Sequence, residues 1–148
     1  MDLCLEGKII TPEKTFNGHV LVEGTRITKV SDKKFRGKGY ERIKGTISPG
    51  FINAHVHASM FLFRGLAHGM NFTEAFEHVI FPIEQRVTKD QLYQGTEEAC
   101  RRMLSLGITS ACNATLWHEP VTKAFKKSGM RAKVCVLLKD SIGYYKPE

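Results

Sequence analysis

From Gly45 onward, strand-like and helix-like runs of apolar residues alternate along the chain, and this order restricts the fold more than any other feature of the sequence. Thr46 to His57 reads as a strand that continues into a loop. Phe72, Phe76, Val79 and Ile80 then recur at helical spacing behind Asn71, whose side chain can cap the helix together with Glu74, and Pro82 marks its end. A longer helix follows, with Thr88 and Gln91 as a capping box, Leu92, Thr96, Ala99, Cys100, Met103 and Leu104 on one face, and Gly107 as the stop. Ile108 to Asn113 reads as a strand, Pro120 to Ser128 as a helix closed by Gly129, and Ala132 to Leu138 as a further strand. Parallel strands joined by right-handed helical crossovers are the expected product. The class is therefore α/β, either a doubly wound sheet or the opening of a (β/α)8 barrel. Periodicity alone does not separate the two.

Residues 1–48 follow a different pattern, with β-type runs at Leu3 to Ile10, His19 to Glu23 and Arg26 to Val30, and a hairpin turn at Glu23-Gly24-Thr25. They are expected to form a small all-β lobe, leaving 49–148 as a second, α/β part. No apolar run approaches the roughly 20 residues that span a bilayer, and the start lacks the blocks of a signal peptide, so the expected location is the cytoplasm and no membrane partner is foreseen. Cys4, Cys100, Cys112 and Cys135 are too far apart to form a close metal or redox pair and read as reduced, mostly buried thiols. Lys and Arg outnumber Asp and Glu by 22 to 15, which raises the question of an anionic partner. The excess is spread along the chain. Its densest stretch, Lys29 to Lys44 with Lys33, Lys34, Arg36, Lys38, Arg42 and Lys44, suits a solvated hairpin end, and no nucleic-acid motif accompanies it.

The chemistry concentrates in Pro49 to His57. Two histidines separated by one residue at a strand end point the same way, because side chains alternate across a strand, and Val56 then faces the opposite side. On the first strand of a barrel, His55 and His57 would project at the C-terminal mouth, where barrel enzymes build their sites. Neutral imidazoles there can share one divalent ion, zinc being the natural choice for nitrogen ligands and iron the second. A bare His-x-His also suits two surface or hydrogen-bonded histidines, so the pair alone leaves both readings open.

The wider string, PGFINAHVH from Pro49 to His57, closely resembles the Pro-Gly-x-Ile-Asp/Asn-x-His-x-His signature of the amidohydrolase superfamily. FLFRGLA (Phe61 to Ala67), FPIEQRVT (Phe81 to Thr88) and LGITSACNAT (Leu106 to Thr115) resemble its cytosine deaminase, chlorohydrolase and S-adenosylhomocysteine or methylthioadenosine deaminase branch. The resemblance implies a (β/α)8 barrel preceded by a β-sandwich to which residues 1–48 contribute. It also implies a metal-dependent hydrolase of non-peptide carbon–nitrogen bonds, removing ammonia from a nucleobase, nucleoside or related heterocycle after a metal lowers the pKa of water. By this resemblance His55 and His57 are metal ligands, and Glu84 matches a position that accepts hydrogen bonds from a substrate ribose. His118, following the second barrel strand, is a further candidate substrate contact. His68, His19 and His78 read as surface or helix residues, and Arg64 with Gly65 repeats a family Arg-Gly pair. Two departures leave the small-molecule substrate open: Asn113 stands where many relatives place Asp, and Val136 lies about where adenosine-type deaminases have Arg.

The remaining ligands and the proton-transfer groups of such an enzyme would come from later barrel strands, so the chain reads as a truncated, N-terminal third with no catalytic residue of its own. Alone it should be inactive. The competing function is a non-catalytic interaction or subunit module, with the basic stretch Lys29 to Lys44 as its contact. An open piece of barrel exposes unpaired strand edges and apolar helix faces, so homo-oligomerisation or less ordered self-association is expected. Size-exclusion chromatography of the chain should therefore show species larger than a monomer. A stable, compact monomer would contradict the truncated-barrel reading.

Overall fold

In the computed structural model, which describes residues 2–137, Gly24 and Thr25 form a two-residue turn between β2 (Thr15–Glu23) and β3 (Arg26–Ser31). β1 (Leu3–Ile10) runs antiparallel to β2 and parallel to β4 (Glu41–Ile47), giving a four-stranded sheet in the order β3-β2-β1-β4. These strands make up one compact unit, Met1–Pro49, and a second unit begins at Gly50. The sheet order revises the reading of the basic stretch. β3 and β4 lie at opposite edges, so residues 32–40 cross from one edge to the other instead of closing a hairpin. β4 escapes sequence patterning because an edge strand tolerates the charged residues Glu41, Arg42 and Lys44. Arg42 pins the crossing segment. It pairs with Glu6 and donates to the carbonyls of Phe35 and Gly37, each at 3.2 Å.

His19, expected at the surface, is 3% exposed and stacks on Phe35 with ring centroids 5.3 Å apart. The crossing segment brings Phe35 over it, a contact that no local periodicity announces. Thr46 to His57 is likewise two strands: β4 ends at Ile47, and β5 (Phe51–Val56) opens a separate sheet beyond Pro49-Gly50. Pro49 has no N–H to continue a ladder.

The second unit is a parallel sheet, β5-β6-β7, with β6 spanning Ile108–Thr115 and β7 Arg131–Val136. Leu138, the expected end of the last strand, lies outside the described residues. Between β5 and β6 come a 3-10 segment (Ala58–Phe63), α1 (Phe72–Ala75), a π turn (Phe76–Ile80), α2 (Phe81–Glu84) and α3 (Lys89–Ser105). Asn71 and Glu74 cap α1 reciprocally, as do Thr88 and Gln91 for α3. Pro82 does not end the helical path. It occupies the first turn of α2, where no N–H is needed, and the wider π turn before it accommodates a ring that would crowd a regular preceding turn. α4 spans His118–Ser128, starting two residues before Pro120, and Gly129 closes it at φ 74°. Among the described residues no helix is long and apolar enough to cross a membrane.

One face of α3 and of α4 covers the sheet. Ala58, Ala99, Cys100, Met103, Ala111, Val121, Phe125 and Met130 form the core, with Val56, Phe61, Ile108 and Val134 packed against it. Full burial of Val121 and Phe125 contributes about 1.5–3 kcal/mol each as an upper estimate. Leu104, expected on the buried stripe, is exposed because it lies one residue round the helix from buried Met103. The Cys100 thiol is pushed up from its ordinary pKa chiefly by burial, so it serves as an inert core side chain.

α3 and the 3-10 segment approach each other closely at Gly95. A methyl group on Gly95 would sit 2.5 Å from Leu62 Cγ and 2.9 Å from the Ser59 carbonyl oxygen. Glycine in mid-helix sacrifices about 1 kcal/mol of helix propensity relative to alanine. Here it lets the segment that follows His57 lie against the helix backbone. Gly95→Ala should therefore destabilise the protein by about 1–3 kcal/mol despite its better propensity. Chemical denaturation of the two proteins measures this directly, and equal or higher stability in the variant would contradict it.

Candidate metal centre

β5 is not a regular strand. It pairs with β6 through Asn53↔Ala111 and Val56↔Asn113, so three steps on β5 (53 to 56) match two on β6 (111 to 113), and Ala54–His55 carries the extra residue of a bulge. Asn53 Nδ2 approaches Met103 Sδ of α3 at 3.7 Å, and Val56 packs on the same helical layer, so plain alternation breaks between them. Past the bulge, His55 and His57 flank core-packed Val56 and lie together. The rings of His55 and His57 stand edge to face at 87°, with centroids 4.9 Å apart, and the His55 backbone N–H donates to Asn53 Oδ1 at 3.3 Å.

His57 is half-buried and held from β6. Its Nδ1 lies 2.8 Å from the Ala114 carbonyl oxygen. A carbonyl only accepts, so this bond places the proton on Nδ1 and leaves the Nε2 lone pair for a cation. Tying the far nitrogen of a ligating imidazole to a carbonyl is also how metal sites orient their histidines. The next residue is held by the same strand, because the Ala58 N–H donates to Asn113 Oδ1 at 2.8 Å in a fully buried bond. Sequence reading marks Asn113 only as a departure from its relatives. The available signal was physical: a polar side chain on a strand between alanines, if buried, must find a partner.

The other candidates lie on separate segments. Glu84 is the half-buried last residue of α2, and His118 is the exposed first residue of α4, just beyond the C-terminal end of β6. His68 and His78 are exposed, and Arg64 lies over the Phe61 ring at 5.3 Å. Among the described residues no group of three or more His, Cys, Asp or Glu side chains could hold a metal ion. The imidazole pair, with one tautomer set by a carbonyl, fits two positions of a nitrogen-ligated divalent ion. A catalytic zinc site uses three protein ligands, one more than this pair supplies.

Residues 46–139 match the family model described as the amidohydrolase family. A 5-methylthioadenosine/S-adenosylhomocysteine deaminase of Syntrophobacter fumaroxidans is 44% identical over 94 residues, which is 64% of this chain and 22% of that protein. A deaminase of the same name from Archaeoglobus fulgidus is 32% identical over 95% of this chain and 33% of its own length. The chain thus spans about a third or less of these curated relatives. Among solved structures, an adenosine deaminase from Xanthomonas campestris with bound zinc matches 88% of this chain and 33% of its own, at 25% identity and a TM-score of 0.73. Atrazine chlorohydrolase from Arthrobacter aurescens, complexed with zinc, shares the fold over 90% of this chain and 35% of its own, at 18% identity and a TM-score of 0.70. With well over half of its residues matched by the family model, the chain belongs to the amidohydrolase family.

Proposed function

We propose that the chain is the N-terminal third of a metal-dependent aminohydrolase in which His55 and His57 supply two ligands to a divalent ion, zinc in preference to iron. On this reading residues 1–48 form part of a β-sandwich, and residues 49–148 form the first three β/α units of a barrel. The observation that carries the proposal is the bond between His57 Nδ1 and the Ala114 carbonyl, which leaves Nε2 free beside His55. A divalent ion held there would supply the Lewis acidity that lowers the pKa of a bound water. This chain's own share is to orient the two imidazoles, while the remaining ligands and the proton-transfer groups come from later strands, so the chain alone is inactive.

The substrate class follows from the relatives, which are named as deaminases of methylthioadenosine, S-adenosylhomocysteine and 5'-deoxyadenosine. A purine nucleoside with an exocyclic amine, altered at the ribose 5' position, is therefore the expected substrate. Glu84 is assigned to the ribose and His118 to the rim of the site, because binding groups favour the connections beyond barrel strands. Exposed Phe51 (64%) and Ile52 (74%) on the edge strand β5 support self-association of the isolated chain.

The test is metal analysis and ammonia release from 5'-methylthioadenosine by the full-length protein that carries this sequence. His55→Ala and His57→Ala should each lower metal content and reduce ammonia release by at least ~100-fold, since even groups that only orient ligands are worth 10–100-fold. Unchanged activity in both variants would remove the site. Bound zinc with no hydrolysis of any aminopurine nucleoside would favour a non-catalytic module. Glu84→Gln should raise KM more than it lowers kcat, and a change confined to kcat would exclude the ribose role.

A further inference from the structure

We propose that Asn113 is a positioning residue for His57: it fixes the backbone from which the ring projects and so keeps Nδ1 against the Ala114 carbonyl that sets the tautomer. Asn113 is wholly buried, at 0% exposure, and lies opposite Val56 in the β5–β6 register. Its Oδ1 accepts the Ala58 N–H at 2.8 Å, and the neighbouring residue of β6, Ala114, receives His57 Nδ1 at the same distance. Two adjacent residues of one strand therefore hold the ring of His57 and the peptide that follows it.

Both restraints are needed at this point. His57 has φ −112° and ψ 76°, between the strand and the 3-10 segment, so no regular ladder fixes its backbone. The Ala58 N–H opens a helical turn and would otherwise be an orphan donor in a buried place, since Ala58 is 1% exposed. Accepting that N–H also settles which end of the Asn113 amide is oxygen. Its Nδ2 is then buried with no hydrogen-bond partner among the described residues. An unpartnered buried amide N–H2 is destabilising, so a side chain chosen for filling space alone would be apolar. The acceptor is what this position requires, and a carboxylate would supply it equally well.

The inference rests on His57 being a metal ligand, and the experiment separates the two ideas. Zinc is titrated into the metal-free full-length protein that carries this sequence, in competition with a chromophoric chelator, and long-range proton–nitrogen NMR reads the His57 tautomer in the zinc-free protein. The variants are Asn113→Ala, Asn113→Leu, Asn113→Asp, His57→Ala and, as a control for general loosening, Val121→Ala in the core. The parent should show the proton on His57 Nδ1. Asn113→Ala and the space-filling Asn113→Leu should mix the tautomers and weaken zinc binding about tenfold. Asn113→Asp should restore both within about threefold, and Val121→Ala should leave both as in the parent.

The proposal is overturned by a parent His57 protonated on Nε2, a result that needs no variant to fold. It is overturned equally if the acceptor-free variants keep the parental tautomer and zinc affinity, or if Val121→Ala perturbs them as much. If zinc binds the parent no better than it binds His57→Ala, the metal reading fails, and the tautomer measurement still decides the role of Asn113.

Discussion

Parallel strands cannot be joined by a tight turn, and in the second unit this constraint governs everything else. The chain must leave β5, travel over one face of the sheet and re-enter at β6 in the same direction. α3 and α4 cover that face, with Cys100, Val121 and Phe125 filling the space between helices and strands. The C-terminal ends of β5 and β6 then lie side by side, which is why a residue after β5 can be held by residues at the end of β6. The pairing of His57 with Ala114, and of Ala58 with Asn113, is a consequence of strand direction before it is a matter of chemistry.

Much of this was legible in the residues. The capping boxes at Asn71–Glu74 and Thr88–Gln91 form as read, because a cap is written in four consecutive residues and needs no tertiary help. The stop at Gly129 is local in the same sense. His55 and His57 were found through the string around them, and their rings do lie together on either side of core-packed Val56, just past a register irregularity that the sequence did not announce. The family assignment rests on segments spread along the chain, so a local misreading of one strand leaves it intact.

What escaped the reading depends on residues distant in sequence. His19 is buried because Phe35 crosses above it, and β4 is a strand because β1 lies beside it in parallel. The helical path runs through Pro82 because a π turn precedes it, a choice made by the whole segment. Asn113 looked like a lost carboxylate. Its partner, the Ala58 amide, lies 55 residues away, and only the fold reveals that an acceptor, charged or not, is the requirement there.

The contact at Gly95 ties the histidine-bearing turn to the body of α3, with no room for a methyl group between them. In the language of native-state fluctuations, the turn after His57 is expected to open with α3 rather than to fray on its own, because the two are packed without a gap at Gly95. Order at the imidazole pair is thus inherited from a seventeen-residue helix. Slow amide exchange should accordingly extend from α3 into Ala58 and Ser59, two residues that secondary structure alone would class as the start of a mobile connection.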